Sequence, residues 1–74
     1  MPEITHDIKN TFGVLSSLKD WNKEVTLTSW QKAEPKMDIR NWNKDHSRCG
    51  SGITLTEDEA RKLLVILKNI FEKE

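Results

Sequence analysis

Seventy-four residues with one cysteine make a single domain that cannot hold an intramolecular disulfide. A chain this short buries only roughly 60% of its unfolded surface, so a partner subunit is the expected source of further buried area. Twelve Lys and Arg balance twelve Asp and Glu, which argues against a polyanion binder driven by bulk charge alone.

Residues 1–7 are polar and read as a flexible N-terminal tail, with 8–74 as the one domain. In IKNTFGVL, Ile8 to Leu15, the shared parity of Ile8, Phe12 and Val14 predicts a half-buried strand, and Gly13 marks a bulge or a close approach of backbone. SSLKD, residues 16–20, is a turn-like link. WNKEVTLTSW, Trp21 to Trp30, alternates Val25 and Leu27 with Glu24, Thr26 and Thr28 and predicts a second strand. Pro35 closes the QKAEP segment that follows.

Lys36 to Trp42 is the third strand. Lys36, Asp38, Arg40 and Trp42 share one face, basic with an aromatic, while Met37 and Ile39 point to the other, apolar face. The apolar face is expected to meet the core and the basic face to hold a ligand. NKDHSRCGSG, residues 43–52, reads as a polar loop, and Ile53–Leu55 as a short fourth strand. Thr56 with Glu59 three residues on is a capping box that opens a helix with acidic groups in its first turn. Ala60, Leu63, Leu64, Leu67, Ile70 and Phe71 form a stripe expected to cover the sheet. Val65 and Ile66 lie off it and suggest a second face against a partner helix. The order β-β-β-β-α predicts an α+β domain: a curved antiparallel meander with one C-terminal helix on its inner face.

The charge is not evenly spread. Residues 19–56 carry seven Lys and Arg against five Asp and Glu, together with all three Trp. Binding a single nucleic-acid strand without sequence preference needs cations for phosphates and flat groups for bases. Trp21, Trp30 and Trp42 are the stacking candidates. Lys23, Lys32, Lys36, Arg40, Lys44 and Arg48 are the phosphate candidates, and Arg40 can also lie flat on a base. Trp21 reads first as a core residue. Trp30 and Trp42, by parity, leave the core. Asp38 either orients Arg40 or simply neutralises the strand. His46, beside Asp45, is either a loop contact to the ligand or a structural hydrogen-bond partner.

No enzyme is indicated. Paired carboxylates and a Ser/His/Asp set with supporting context are lacking, and GSG before Ile53 leads into a strand where a phosphate-cradling loop needs a helix. His46 and Cys49 fall two ligands short of a structural zinc site, so no metal and no cofactor are expected. No apolar run nears the roughly 20 residues of a membrane span, and MPEITHDIKN lacks the basic-then-apolar pattern of a secretion signal. The expected location is the cytoplasm, with nucleoid association compatible.

The run EPKMDIRNW, the polar loop with DH, and GSGITLT leading into an acidic helix start resemble the bacterial YdbC-like proteins. These are relatives of the C-terminal domain of the eukaryotic transcriptional positive coactivator. The resemblance runs from about Ile8 to Phe71, with DIRNW, GSGITLT and SWQKAEPK its most specific parts. It implies a homodimer formed through the helices, here by Leu63, Val65, Ile66 and Ile70, and binding of single-stranded DNA or RNA in basic and aromatic grooves. Ser51 stands between Gly50 and Gly52 where such proteins carry a basic residue, and Cys49 replaces an aliphatic or thioether side chain. The alternative is a protein-interaction adaptor on the same fold with little nucleic-acid affinity, and zero net charge and Ser51 point toward it. No small-molecule substrate and no membrane partner are indicated.

Overall fold

A computed structural model describes residues 5–72, so residues 1–4 of the tail expected at 1–7 lie outside the described residues. Four strands, β1 (His6–Leu18), β2 (Trp21–Trp30), β3 (Lys36–Asn43) and β4 (Cys49–Leu55), precede one helix, α1 (Glu57–Phe71). The strands form one antiparallel sheet in the order β1-β2-β3-β4. The meander and its C-terminal helix are those expected from the alternation and the capping box.

The boundaries differ at both ends of β1, by one residue at the end of β3 and at the start of β4. His6 and Asp7, assigned to the tail, belong to β1, and so do residues 16–18 of the expected turn-like link, which pair with β2 up to a tight turn at 19–20. β4 starts at Cys49, so the glycine-rich end of the expected loop is strand. The reason is visible at Gly52, which lies opposite Arg40 across the β3–β4 ladder. A Cβ at Gly52 would fall 2.9 Å from Arg40 Cα and closer still to Arg40 Cβ and the Ile39 carbonyl. Glycine here permits a close strand contact rather than a turn.

β1 pairs with β2 through three register shifts, between Ile8 and Asn10, Thr11 and Gly13, and Val14 and Ser16. Each bulge adds local twist and breaks strict alternation. That is why the shared parity of Ile8, Phe12 and Val14 does not make a buried face: Phe12 and Val14 are exposed.

The burial of the two faces is the reverse of that expected. Val25, Ile39 and Ile53 line up across β2, β3 and β4, as do Leu27, Met37 and Leu55. This apolar face stays half-open, with Ile53 itself 54% exposed. Apart from Ser29, the buried side chains belong to the polar face: Thr26, Thr28, Asp38 and Trp42 have no exposure at all, and Glu24 has 3%.

The helix explains the difference. Its N-terminus is fixed as expected: Thr56 accepts from the Glu59 amide and Glu59 Oε1 accepts from the Thr56 amide at 2.8 Å. It then departs from the sheet. It touches only β3 and β4 among the strands, and none of its residues is buried. The expectation that its stripe covers the inner face of the sheet is therefore incorrect within one chain. Leu64, Val65, Ile66, Leu67, Ile70 and Phe71 remain exposed, and the molecule measures only 19 Å in its thinnest direction.

Candidate functional site

The buried polar face is built from alternate residues of β2 and β3. Glu24 lies opposite Arg40 and Thr26 opposite Asp38. The next strand places Thr54 beside Asp38. All therefore project to one side of the sheet.

Asp38 is the hub. Its fully buried carboxylate accepts from Arg40 Nε and, at 3.0 Å, from the second Arg40 nitrogen. It also accepts from Trp30 Nε1 at 3.1 Å and from the Thr54 hydroxyl at 2.7 Å. A buried carboxylate needs this many donors to offset its lost hydration. The hydrogen bonds from Arg40 to Asp38 raise the guanidinium pKa above its ordinary value, so Arg40 is a permanent cation. Its guanidinium carbon sits 4.6 Å from the Trp30 ring centroid, in cation–π contact. Asp38 thus orients Arg40 on Trp30; it does more than neutralise the strand.

Trp30 and Trp42 are nearly parallel, 10° apart with centroids at 6.0 Å. His6 and His46 lie against Trp42 at 4.9 Å and 5.6 Å. His46 Nε2 meets both oxygens of Glu24, at 2.9 and 3.1 Å, and the His46 carbonyl is 3.0 Å from His6 Nε2. A histidine with a left-handed backbone, φ 60°, thus ties the β3–β4 loop to β2 and β1. In the same loop the Ser47 hydroxyl and amide donate to Asp45 and lower its pKa below the ordinary 3.8.

Of the residues picked from sequence, Trp30, Arg40, Trp42 and His46 are brought together. Two of the three Trp assignments are corrected. Trp42 was expected to leave the core and is instead fully buried, because the two histidines close over it. Trp21 was read as core and is 38% exposed; it has the parity of Val25 and Leu27, on the face that α1 leaves open.

The outlying cations are dispersed. Lys36 starts β3, exposed, and its charge helps to lower the Glu59 pKa. Lys23 has the parity of Val25 and Leu27 and so belongs to the opposite face. Lys32 is exposed in the β2–β3 turn with φ 63°. Lys44 lies 3.8 Å from Asp20, and Arg48 is exposed just before β4.

Glu24, Thr54 and His6 were not recognised from sequence. Glu24 shares the parity of Trp30, a signal that the alternation of β2 carries. His6 gives no such signal, because its place depends on the β1 bulges. Among the described residues, no group of three His, Cys, Asp or Glu could hold a metal ion, and no helix is long and apolar enough to cross a membrane.

Residues 17–66 match the family described as Transcriptional Coactivator p15 (PC4). That span includes all nine candidate nucleic-acid contacts. An uncharacterized protein of Treponema pallidum (strain Nichols) is 35% identical over 66 residues, covering 88% of this chain and 78% of that protein. The strand order, the C-terminal helix and the aromatic–arginine face are now joined by a match over most of the chain. The chain belongs to the transcriptional coactivator p15 (PC4) family of single-stranded-DNA-binding domains.

Proposed function

We propose that this protein is a homodimeric, sequence-tolerant binder of single-stranded DNA that also accepts RNA, serving transcription, replication or repair. The observation that carries the reading is the Arg40 guanidinium, held by buried Asp38 and laid on Trp30 at 4.6 Å. A flat cation fixed in this way can take a base on its plane or a phosphate on its edge. His46 lies at the margin of that centre. Lys23, Lys32, Lys36, Lys44 and Arg48 would supply longer-range phosphate attraction. Trp42 acts in this ground state as the support behind Trp30.

Dimerisation is inferred from the helix. At 100° per residue Ile66, read as off the stripe, continues the apolar arc beside Leu63 and Ile70, and Val65 alone stands apart from it. So many exposed aliphatic side chains on a 15-residue helix exceed the scattered few that a soluble monomer carries. A second copy would cover them.

The adaptor alternative has one specific observation in its favour. On the buried face Glu24 and Asp38 balance Arg40 and Lys36, so the local charge is no more positive than the whole chain. Titration of intrinsic Trp fluorescence with oligo-dT at two salt concentrations, beside the matching duplex, separates the readings. Log K falling by about 0.7 per log salt for each neutralised phosphate, with weak duplex binding, supports the single-strand surface. No response at low salt leaves the adaptor. Arg40→Lys keeps the charge but loses the planar fork. A stacking contact of roughly 1–3 kcal/mol predicts a loss of about 5- to 150-fold. Unchanged affinity would place the contact elsewhere.

A further inference from the structure

Trp42 presents an anomaly on this surface. Its side chain has no exposure, and its Nε1 has no hydrogen-bond partner, the one such buried side-chain polar atom among the described residues. Buried indole N–H groups normally find an acceptor. Trp42 is enclosed by three rings, Trp30 stacked at 6.0 Å and the two histidines. The His6 ring and the His46 ring pack on it, and each is held by one polar contact region: His6 on the His46 carbonyl, His46 on Glu24. The Glu24 side chain is 4% exposed and the His46 side chain 35%. A buried carboxylate therefore secures a half-exposed cover that sits on a strained left-handed residue.

We infer that Glu24 is a positioning residue of the nucleic-acid surface, holding His46 as a removable cover over Trp42, and that a bound strand displaces the cover and supplies the acceptor for the Trp42 N–H. This inference rests on the single-strand reading above. The chemistry fits a nucleic-acid strand. A base carbonyl, ring nitrogen or phosphate oxygen each accepts from an indole N–H, and the uncovered ring lies parallel to Trp30, where a base could stack next in line. Other charged groups around the cover are Asp38 and Arg40, which are satisfied by one another, and Asp45, which is occupied by Ser47. None of these competes for His46.

The test follows the three indole N–H signals by NMR, assigned with Trp→Phe variants, in the free protein and with oligo-dT. In the free protein the Trp42 N–H exchanges slowly with solvent. Glu24→Ala speeds that exchange at least tenfold. Glu24→Gln, whose amide oxygen can still accept from His46, leaves it within about twofold. Saturating oligo-dT shifts the Trp42 signal as well as that of Trp30. If Glu24→Ala does not fold, His46→Gly removes the cover at a backbone position that glycine accepts and must produce the same acceleration. Trp30 shifting while Trp42 keeps its frequency overturns the cover but leaves the binding reading intact. Exchange equally slow in Glu24→Ala, or in its His46→Gly substitute, also overturns it. No signal moving at low salt removes both.

Discussion

Replacing Asp38 with Ala attacks the hub of the polar face, and the structure sets the scale of the damage. The carboxylate is fully buried and takes two hydrogen bonds from Arg40, one from Trp30 and one from Thr54. Arg40 has only 17% side-chain exposure, so it cannot recover full hydration when its anion is removed. Breaking a buried ion pair on one side costs about 3–5 kcal/mol. The orphaned indole N–H adds to this, whereas the Thr54 hydroxyl can rotate toward water. A domain of this length has a total stability of about 4–11 kcal/mol by the usual per-residue range. The expected loss is thus about a quarter of the total or more. At about 4–8 °C per kcal/mol for a small domain, Tm should fall by roughly 12–40 °C.

Thermal unfolding followed by circular dichroism, at one fixed protein concentration because dimerisation would add to stability, gives the number. The double variant Asp38→Ala/Arg40→Ala then removes the uncompensated cation. Its loss should be smaller than the sum of the single losses by about 1–3 kcal/mol. A fall in Tm under 5 °C for Asp38→Ala, or strict additivity in the cycle, would refute the claim that this carboxylate organises the face.

Three further outcomes are expected. Gly52→Ala should displace β4 or cost about 1–3 kcal/mol as overpacking does, because the new Cβ meets Arg40 and the Ile39 backbone; urea unfolding measures it, and a neutral result would contradict the strand spacing. The hydrogen bond that the Thr56 amide donates to the Glu59 carboxylate lowers the Glu59 pKa below its ordinary 4.5, so its capping contribution is complete above pH 4.5 and is lost as pH falls through the lowered folded value; an NMR titration midpoint at or above 4.5 would contradict the capping box. Ile70→Glu, on the exposed arc of α1, should convert a dimer to monomer in analytical ultracentrifugation; a chain that sediments as a monomer before the change removes the dimer proposal.

The physics that the linear sequence carries is local. The alternation in β2 and β3, the proline at 35 and the Thr56–Glu59 box specify the elements and their order within a short span, and those elements form in that order, with β1 and β4 longer than read. The same alternation placed Asp38, Arg40 and Trp42 on a common face. What alternation cannot say is which face will be buried, because burial depends on what lies across from it. Here α1 turns away from the sheet, three bulges twist β1, and His6 and His46, forty residues apart, meet over Trp42. A period-two pattern has no term for a bulge, and a polar residue such as Glu24 is buried only when a distant partner satisfies it. The tertiary structure alone decided that the charged face is enclosed and the apolar face left open, since both outcomes obey the same local rules and differ only in long-range contacts.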